Sequence, residues 1–299
     1  MNPVYAFAPG LNHLPYLRPI INSIIRNCSE ESPHFCILLP CKQARLAIDA
    51  DCTFKIAHDS DVRLCSEMYY QEARADIPPF AAYAQLMIPR YFSEYHKILY
   101  IEVDQVVQKD LHFLWQTVYK NDVKLGAVPY FDGRTGQVFS EIDDEFFRAA
   151  KPKSKYFNTG VFLFDTDYWI TNRIEEKCFE YVRKQKDSGG QVYRFYAQGA
   201  MNRALASEIT SLDHAFNWAG LGYMHDIPPK LLDEATILHW NGGRKPWMED
   251  GLYRSRYVKA SGFSVSDIRK LAEESSGLEP SRKRRLARYA KALRSIIAR

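Results

Sequence analysis

The 299-residue sequence has no Cys-x-x-Cys pair, no apolar run of membrane-spanning length, and no internal repeat or low-complexity tract. Its six cysteines stand singly at 28, 36, 41, 52, 65 and 178. That spacing excludes a zinc finger or a dithiol redox motif and suits small buried residues in a reducing compartment better than a disulfide framework. A transmembrane helix needs about 20 consecutive apolar residues, and none is present. The first residues, Val4-Tyr5-Ala6-Phe7-Ala8, read as a strand and not as a basic region followed by a signal core, so a cytoplasmic protein is expected. With 46% hydrophobic residues the chain can bury a full core, and the expectation is one large α/β domain, residues 1–250, with a C-terminal helical extension, 251–299.

What is present alternates between strand and helix patterns. Val4 to Ala8, Phe35 to Leu39 and Phe54 to Ala57 read as strands, and Pro15 to Asn27 as a helix with Leu17, Ile20, Ile21, Ile24 and Ile25 on one broad face. Further helices are expected over 77–92, 111–119 and 167–186, and one opening at Tyr196, with strands at 125–130 and 157–164. Such alternation predicts a mainly parallel, doubly wound sheet.

Three stretches carry chemistry. The strand pattern Lys97-Ile98-Leu99-Tyr100-Ile101 runs straight into Glu102 and Asp104. Two carboxylates at the carboxyl end of a parallel strand can hold a hard cation, although an acidic pair can also simply end a strand and face water. Phe157-Asn158-Thr159-Gly160-Val161 opens a second buried strand with polar residues and a glycine that admits close approach to the backbone. His239-Trp240-Asn241-Gly242-Gly243-Arg244-Lys245-Pro246-Trp247 gathers a metal-competent imidazole, two glycines, two cations and two indoles. Together they suit a cation, a phosphate group and a sugar-like surface bound side by side.

These residues resemble the motifs of glycosyltransferase family 8, retaining enzymes of the GT-A fold that include bacterial lipopolysaccharide galactosyltransferases and glycogenin. Tyr100-Ile-Glu-Val-Asp104 with Asp110-Leu111 and Leu114-Trp115 is similar to "YLDAD…DL..LW". Phe157 to Val161 is similar to "FN(S/A)GV", Gln198-Gly-Ala-Met-Asn202 to "DQD.LN", and His239-x-x-Gly242-x-x-Lys245-Pro246-Trp247 to "H.xG..KPW". They occur in family order over roughly residues 4 to 250. There are departures: Glu102 replaces an aspartate, Gln85 an arginine, and Ala197 an aspartate. The loop Ala8-Pro9-Gly10-Leu11-Asn12-His13 lacks the acidic residue that recognises uracil, and Tyr130 stands where an acidic sugar contact is common.

The resemblance implies a Rossmann-like nucleotide-sugar fold. It implies Mn2+ (or Mg2+) held by Glu102, Asp104 and His239, since a histidine with two carboxylates suits manganese. The donor, a UDP-sugar, would lie against Ala8, Tyr83, Gly242 and Lys245; Tyr83 could equally be a packed aromatic with a hydrogen-bonded hydroxyl. Gln198 and Asn158 would place the sugar and the acceptor, a glycan or glycolipid such as lipopolysaccharide or capsule, with Asn158 alternatively satisfying local backbone and Asn202 packing the helix. A non-catalytic nucleotide-sugar or glycan-binding protein on the same fold is the competing reading.

Residues 281–299 hold eight basic and no acidic residues, more positive charge than the formal +4 of the whole chain, so the remainder is net acidic. Leu286, Tyr289, Ala290, Leu293, Ile296 and Ile297 recur at helical spacing among the arginines. A nucleic-acid arm, or a helix docked on an acidic face of its own domain, would share the pattern. The reading taken is a helix lying on the anionic inner face of the cytoplasmic membrane, with no nucleic acid as partner. Deleting residues 281–299 should release the protein from anionic vesicles in a low-salt flotation assay, each basic residue contributing roughly 1 kcal/mol at such a surface. Indifference of the full chain to those vesicles would contradict it.

Overall fold

Alternate residues of the central strands face two separate cores, which is why their sequences read as unbroken apolar runs. In β1 (Val4–Phe7) Tyr5 and Phe7 face one core while Val4 and Ala6 face the other. In β4 (Lys97–Ile101) Leu99 and Ile101 part from Ile98 and Tyr100 in the same way. A fully buried Leu, Ile or Phe among them contributes about 1.5–3 kcal/mol. The chain is seen as a computed structural model describing residues 2–27, 32–41, 48, 50–69, 78–138, 155–187, 196–205 and 207–278. The basic tail, Cys28 and the polar stretch 139–154 lie outside the described residues.

The other strands are β2 (His34–Leu39), β3 (Cys52–Ile56), β5 (Gln105–Val107), β6 (Leu125–Pro129), β7 (Phe157–Asp165), β8 (Thr210–Ser211) and β9 (Ile237–His239). Seven form one sheet in the order β3-β2-β1-β4-β7-β6-β8, and β5 pairs with β9 apart from it. All neighbours in the large sheet are parallel except β7, which runs against both β4 and β6. The fold is thus the expected α/β type with a mixed, mostly parallel sheet. Among the described residues no helix is long and apolar enough to cross a membrane, and the described cysteines, Cys36, Cys41, Cys52, Cys65 and Cys178, are free.

Two expected helices are broken. The stretch to Phe92 divides into Pro79–Tyr83, a 3-10 turn Ala84–Met87 and Ile88–Tyr91, because Pro89 supplies no backbone donor and its ring crowds the preceding turn. The next divides into Thr166–Thr171 and Ile174–Asp187, with Arg173 between them at φ 52°. Asp165 caps the first piece, accepting from Tyr168 N–H at 3.0 Å.

The pairing of β6 with β7 slips where the site lies. Ala127 stands opposite Phe162, yet Val128 stands opposite Asn158, so Thr159, Gly160 and Val161 bulge out on that side. Asn202 pins the strand just before the bulge: Phe157 N–H donates to its Oδ1 (2.7 Å) and its Nδ2 donates back to Phe157 O (2.8 Å).

Past residue 250 the described chain packs onto the domain. Tyr257 and Ala260 of the helix Arg254–Ser261 and Ile268 of the helix Val265–Leu278 enter the same core as β1. Ser275 Oγ donates to Asn12 O at 2.5 Å, and Arg18 pairs with Glu274 at 2.8 Å.

Candidate functional site

The bulge, the turn after β4 and the turn after β9 are stitched together by main chain. Glu102 N–H donates to Gly160 O and Trp240 N–H to Asp104 O, each at 2.9 Å. The strand ends at Ile101, so Glu102 and Asp104 sit in a turn between sheets and not along a continuing strand. That turn faces both carboxylates toward His239, which stands opposite Gln105 in the β5–β9 pair. One oxygen from each carboxylate and a ring nitrogen of His239 lie within 4.8 Å of one another.

His239 is held by a chain of amides. Asn158 Oδ1 accepts from Gly160 N–H and from Asn217 Nδ2, both at 2.9 Å. Asn217 therefore turns its own Oδ1 to His239 Nδ1, at 2.8 Å. An oxygen there can only accept, so Nδ1 carries a proton and Nε2 is the nitrogen left for the pocket. Buried and without a hydrogen bond, Nε2 lies 3.2 Å from Glu102 Oε2 and 3.4 Å from Asp104 Oδ1. A buried ring nitrogen facing two carboxylates, its orientation set by a second residue, fits a divalent cation in exchange for its proton.

Gly160 forms the floor. A Cβ there would stand 2.5 Å from His239 Cε1 and 2.7 Å from Glu102 Oε2 and from Gln105 Nε2. Only glycine leaves room for these groups to converge. The bulged Thr159 is satisfied from both sides: its N–H donates to Gln198 Oε1 (3.1 Å), and its carbonyl accepts from Gln85 Nε2 (2.7 Å). Gln198 Nε2 also donates to Tyr156 OH at 3.4 Å.

Charge in the cluster is nearly balanced. The Lys245 ammonium donates to Asp104 Oδ2 and to Trp240 O. Burial alone would push the Asp104 carboxyl up, but Lys245 and the facing His239 outweigh it and hold the group well below the usual carboxylate range. Burial likewise opposes a charge on His239, and Asp104 with Glu102 overrides it, holding the imidazole up at about 9.

Other expected residues fall as follows. Ala8 follows the first strand, which ends at Phe7, and Ala6 two residues earlier pairs in register with Tyr100, two residues before Glu102. Gly242 adopts φ 106°, which favours glycine, in the loop ahead of Lys245. Trp247 stacks on Tyr16 at 3.8 Å between ring centres. Tyr83 does not join the site: it is wholly buried, edge-on to Tyr196, with its hydroxyl donating to Met68 O at 3.2 Å. This corrects the expected donor contact in favour of the packed aromatic, because neither ring nor hydroxyl is free. Gln85 is buried against Thr159 and does not reach outward. Asp132 is occupied by Arg134, 2.7 Å away.

A second set of candidate ligands, His96, Asp165 and Asp167, lies at the other end of β4. Its buried member, Asp165, is already neutralised by Lys97 at 3.1 Å and Lys124 at 3.2 Å. Sequence reasoning singled out Gln85 only as a departure from the family pattern and missed Asn217 and Gln105 as members of the site. The signal was a carboxamide embedded in an otherwise apolar stretch, which marks a polar group kept in the core for a partner.

Comparison with known proteins places the chain. Residues 6–251 match the family described as Glycosyl transferase family 8. Among curated proteins it is 26% identical over 244 residues to Probable galacturonosyltransferase 7 of Arabidopsis thaliana, covering 76% of this chain and 38% of that one. It is 29% identical over 180 residues to Probable galacturonosyltransferase 4 of the same plant, covering 56% and 27%. The chain thus spans well under half the length of these relatives. Among solved structures it superposes on an active-site mutant of LgtC with TM-score 0.68 and 20% identity, covering 88% of this chain and 95% of that one. GlyE of Streptococcus pneumoniae TIGR4 follows with TM-score 0.58 and 20% identity, covering 94% and 66%. These two likenesses establish a shared fold.

The raised imidazole has two consequences of defined sign. In metal-free protein the protonated ring contributes stability that is complete below about pH 6.5 and is lost as pH rises through about 9. A cation must displace that proton, so apparent Mn2+ affinity should climb toward pH 9, by close to tenfold per unit. Calorimetric titrations from pH 6.5 to 8.5 measure this, and thermal melts in chelator should fall over the same range. A flat affinity profile would contradict the assignment.

Proposed function

The chain belongs to glycosyl transferase family 8, and we propose that it is a metal-dependent retaining glycosyltransferase. It would move a hexosyl unit from a nucleotide sugar, a UDP-sugar first of all, to a glycan or glycolipid acceptor such as lipopolysaccharide or capsule. The observation that carries this reading is the buried His239 Nε2 facing Glu102 and Asp104 above Gly160. A protein that only bound a sugar would have no need of it.

Breaking a sugar–phosphate bond leaves negative charge on the diphosphate and positive character at the anomeric carbon. A cation held by Glu102, Asp104 and His239 would supply Lewis-acid neutralisation of the diphosphate. Lys245, now on Asp104, stands on the same loop as Gly242 and can turn its ammonium to a phosphate oxygen once a cation offsets the carboxylate. Gln198 and the bulge it braces would hold the sugar. Its structural partners, the Thr159 amide and the Tyr156 hydroxyl, are neutral. We therefore favour front-face attack, with the departing phosphate oxygen taking the acceptor's proton, over a covalent carboxylate intermediate. Asn158 acts through Asn217 on His239, a positioning part instead of the expected direct one. The proposal includes residues 251–299 as an extension whose tail, 281–299, keeps a cytoplasmic enzyme on an anionic membrane near a lipid-linked acceptor.

A thermal-shift screen with Mn2+, beginning with UDP-galactose, UDP-glucose and UDP-galacturonate, would find the donor, since a ligand of the native state raises its melting point. With that donor, turnover should vanish in excess chelator and in Asp104→Ala or His239→Ala, the variants remaining folded by circular dichroism; activity surviving chelation would overturn the cation reading. Gln198→Ala should lower kcat by about a hundredfold and leave the affinity for UDP alone nearly unchanged. An equal loss of UDP affinity would move Gln198 to the nucleotide.

A further inference from the structure

Each ligand of the candidate cation site except one is held in place by a neighbour. Asn217 orients His239, and Lys245 holds Asp104. Glu102 is the exception: its carboxylate is 43% exposed and, among the described residues, meets only the His239 ring. Beside it lies Gln105, fully buried, with neither Nε2 nor Oε1 hydrogen-bonded. A buried amide left unpaired forfeits the hydrogen bonds it would make in water, and an apolar side chain of the same volume would avoid that loss. The carboxamide is aimed at the site. Gln105 is the cross-strand partner of His239, and its Nε2 and Glu102 Oε2 each come within 2.7 Å of the point where Gly160 would carry a Cβ.

We propose that Gln105 is a positioning residue of the cation centre, its Nε2 donating to the Glu102 carboxylate when that carboxylate closes on the ion. The longer arm of glutamate, compared with aspartate, is what brings the acceptor oxygen back over Gly160 and within reach. The inference rests on the cation reading above and adds Gln105 to the residues that position its ligands.

The test is Mn2+ uptake by metal-free protein without nucleotide, followed by the paramagnetic resonance of the free ion, with thermal melts in chelator beside it. Gln105→Met keeps the volume. It should weaken Mn2+ binding by about tenfold or more while the chelated protein melts no lower than wild type, since the substitution removes an unpaired amide. In a Glu102→Asp background the same change should cost under about threefold, because the shorter arm does not meet the carboxamide. The proposal is overturned if Gln105→Met binds Mn2+ as wild type does, or if the loss is equal in both backgrounds. It is also overturned if the chelated variant melts lower in step with the affinity loss, which marks a packing role. Failure of wild type itself to take up Mn2+ removes the cation reading, and this inference with it; uptake by wild type with no effect of Gln105→Met removes only the latter.

Discussion

The hydrogen bond between His239 Nδ1 and Asn217 Oδ1 is the contact on which the site depends. It fixes which ring nitrogen faces the carboxylates, and its direction is imposed from further off. Asn217 can present its oxygen only because its nitrogen is engaged by Asn158, and Asn158 presents an oxygen because the Gly160 amide binds there as well. A backbone N–H cannot reverse its polarity. The relay therefore starts from main chain in a β-bulge and ends at a ring nitrogen, with the sense of every amide determined.

That dependence explains what could be read from sequence. The strands were legible because β1, β4 and β7 are covered on both faces and carry mostly apolar or aromatic side chains. Glu102, Asp104 and His239 were legible because charged and ring-nitrogen groups interrupt those runs at their ends. The direction of β7 was not, since an apolar run looks the same whichever way it crosses a sheet. Nor were Asn217, Gln85 and Gln105, whose roles arise only where the register slip at Ala127 and Val128 leaves three residues of β7 without a partner on β6. Local periodicity carries no trace of a slip between strands distant in sequence.

The departures from the family pattern take on a physical sense around the same bulge. Gln85, a neutral residue in the place of an arginine, braces the Thr159 carbonyl from beneath. Glu102 extends over a glycine that leaves space for the extra methylene. Asp104, by contrast, keeps the shorter arm and is tied to Lys245, so one carboxylate is anchored while the other has freedom to adjust. A centre with one fixed and one adaptable acid can follow a change in the coordination of its ion more readily than a rigid pair.

The segment after β1 and the helix Val265–Leu278 are joined by Ser275 and Asn12, which lie 263 residues apart in sequence. Contacts of such separation form late, because the intervening chain must be ordered first. During synthesis from the amino terminus, β1 and its loop emerge long before the helix that clasps them. Until then the turn Leu11–Tyr16, whose Tyr16 ring stacks on Trp247 in the folded protein, lacks its cover, and its apolar surface stays open to water. The window in which a nascent chain could engage a chaperone, or aggregate, is thus set by the distance from Asn12 to Ser275.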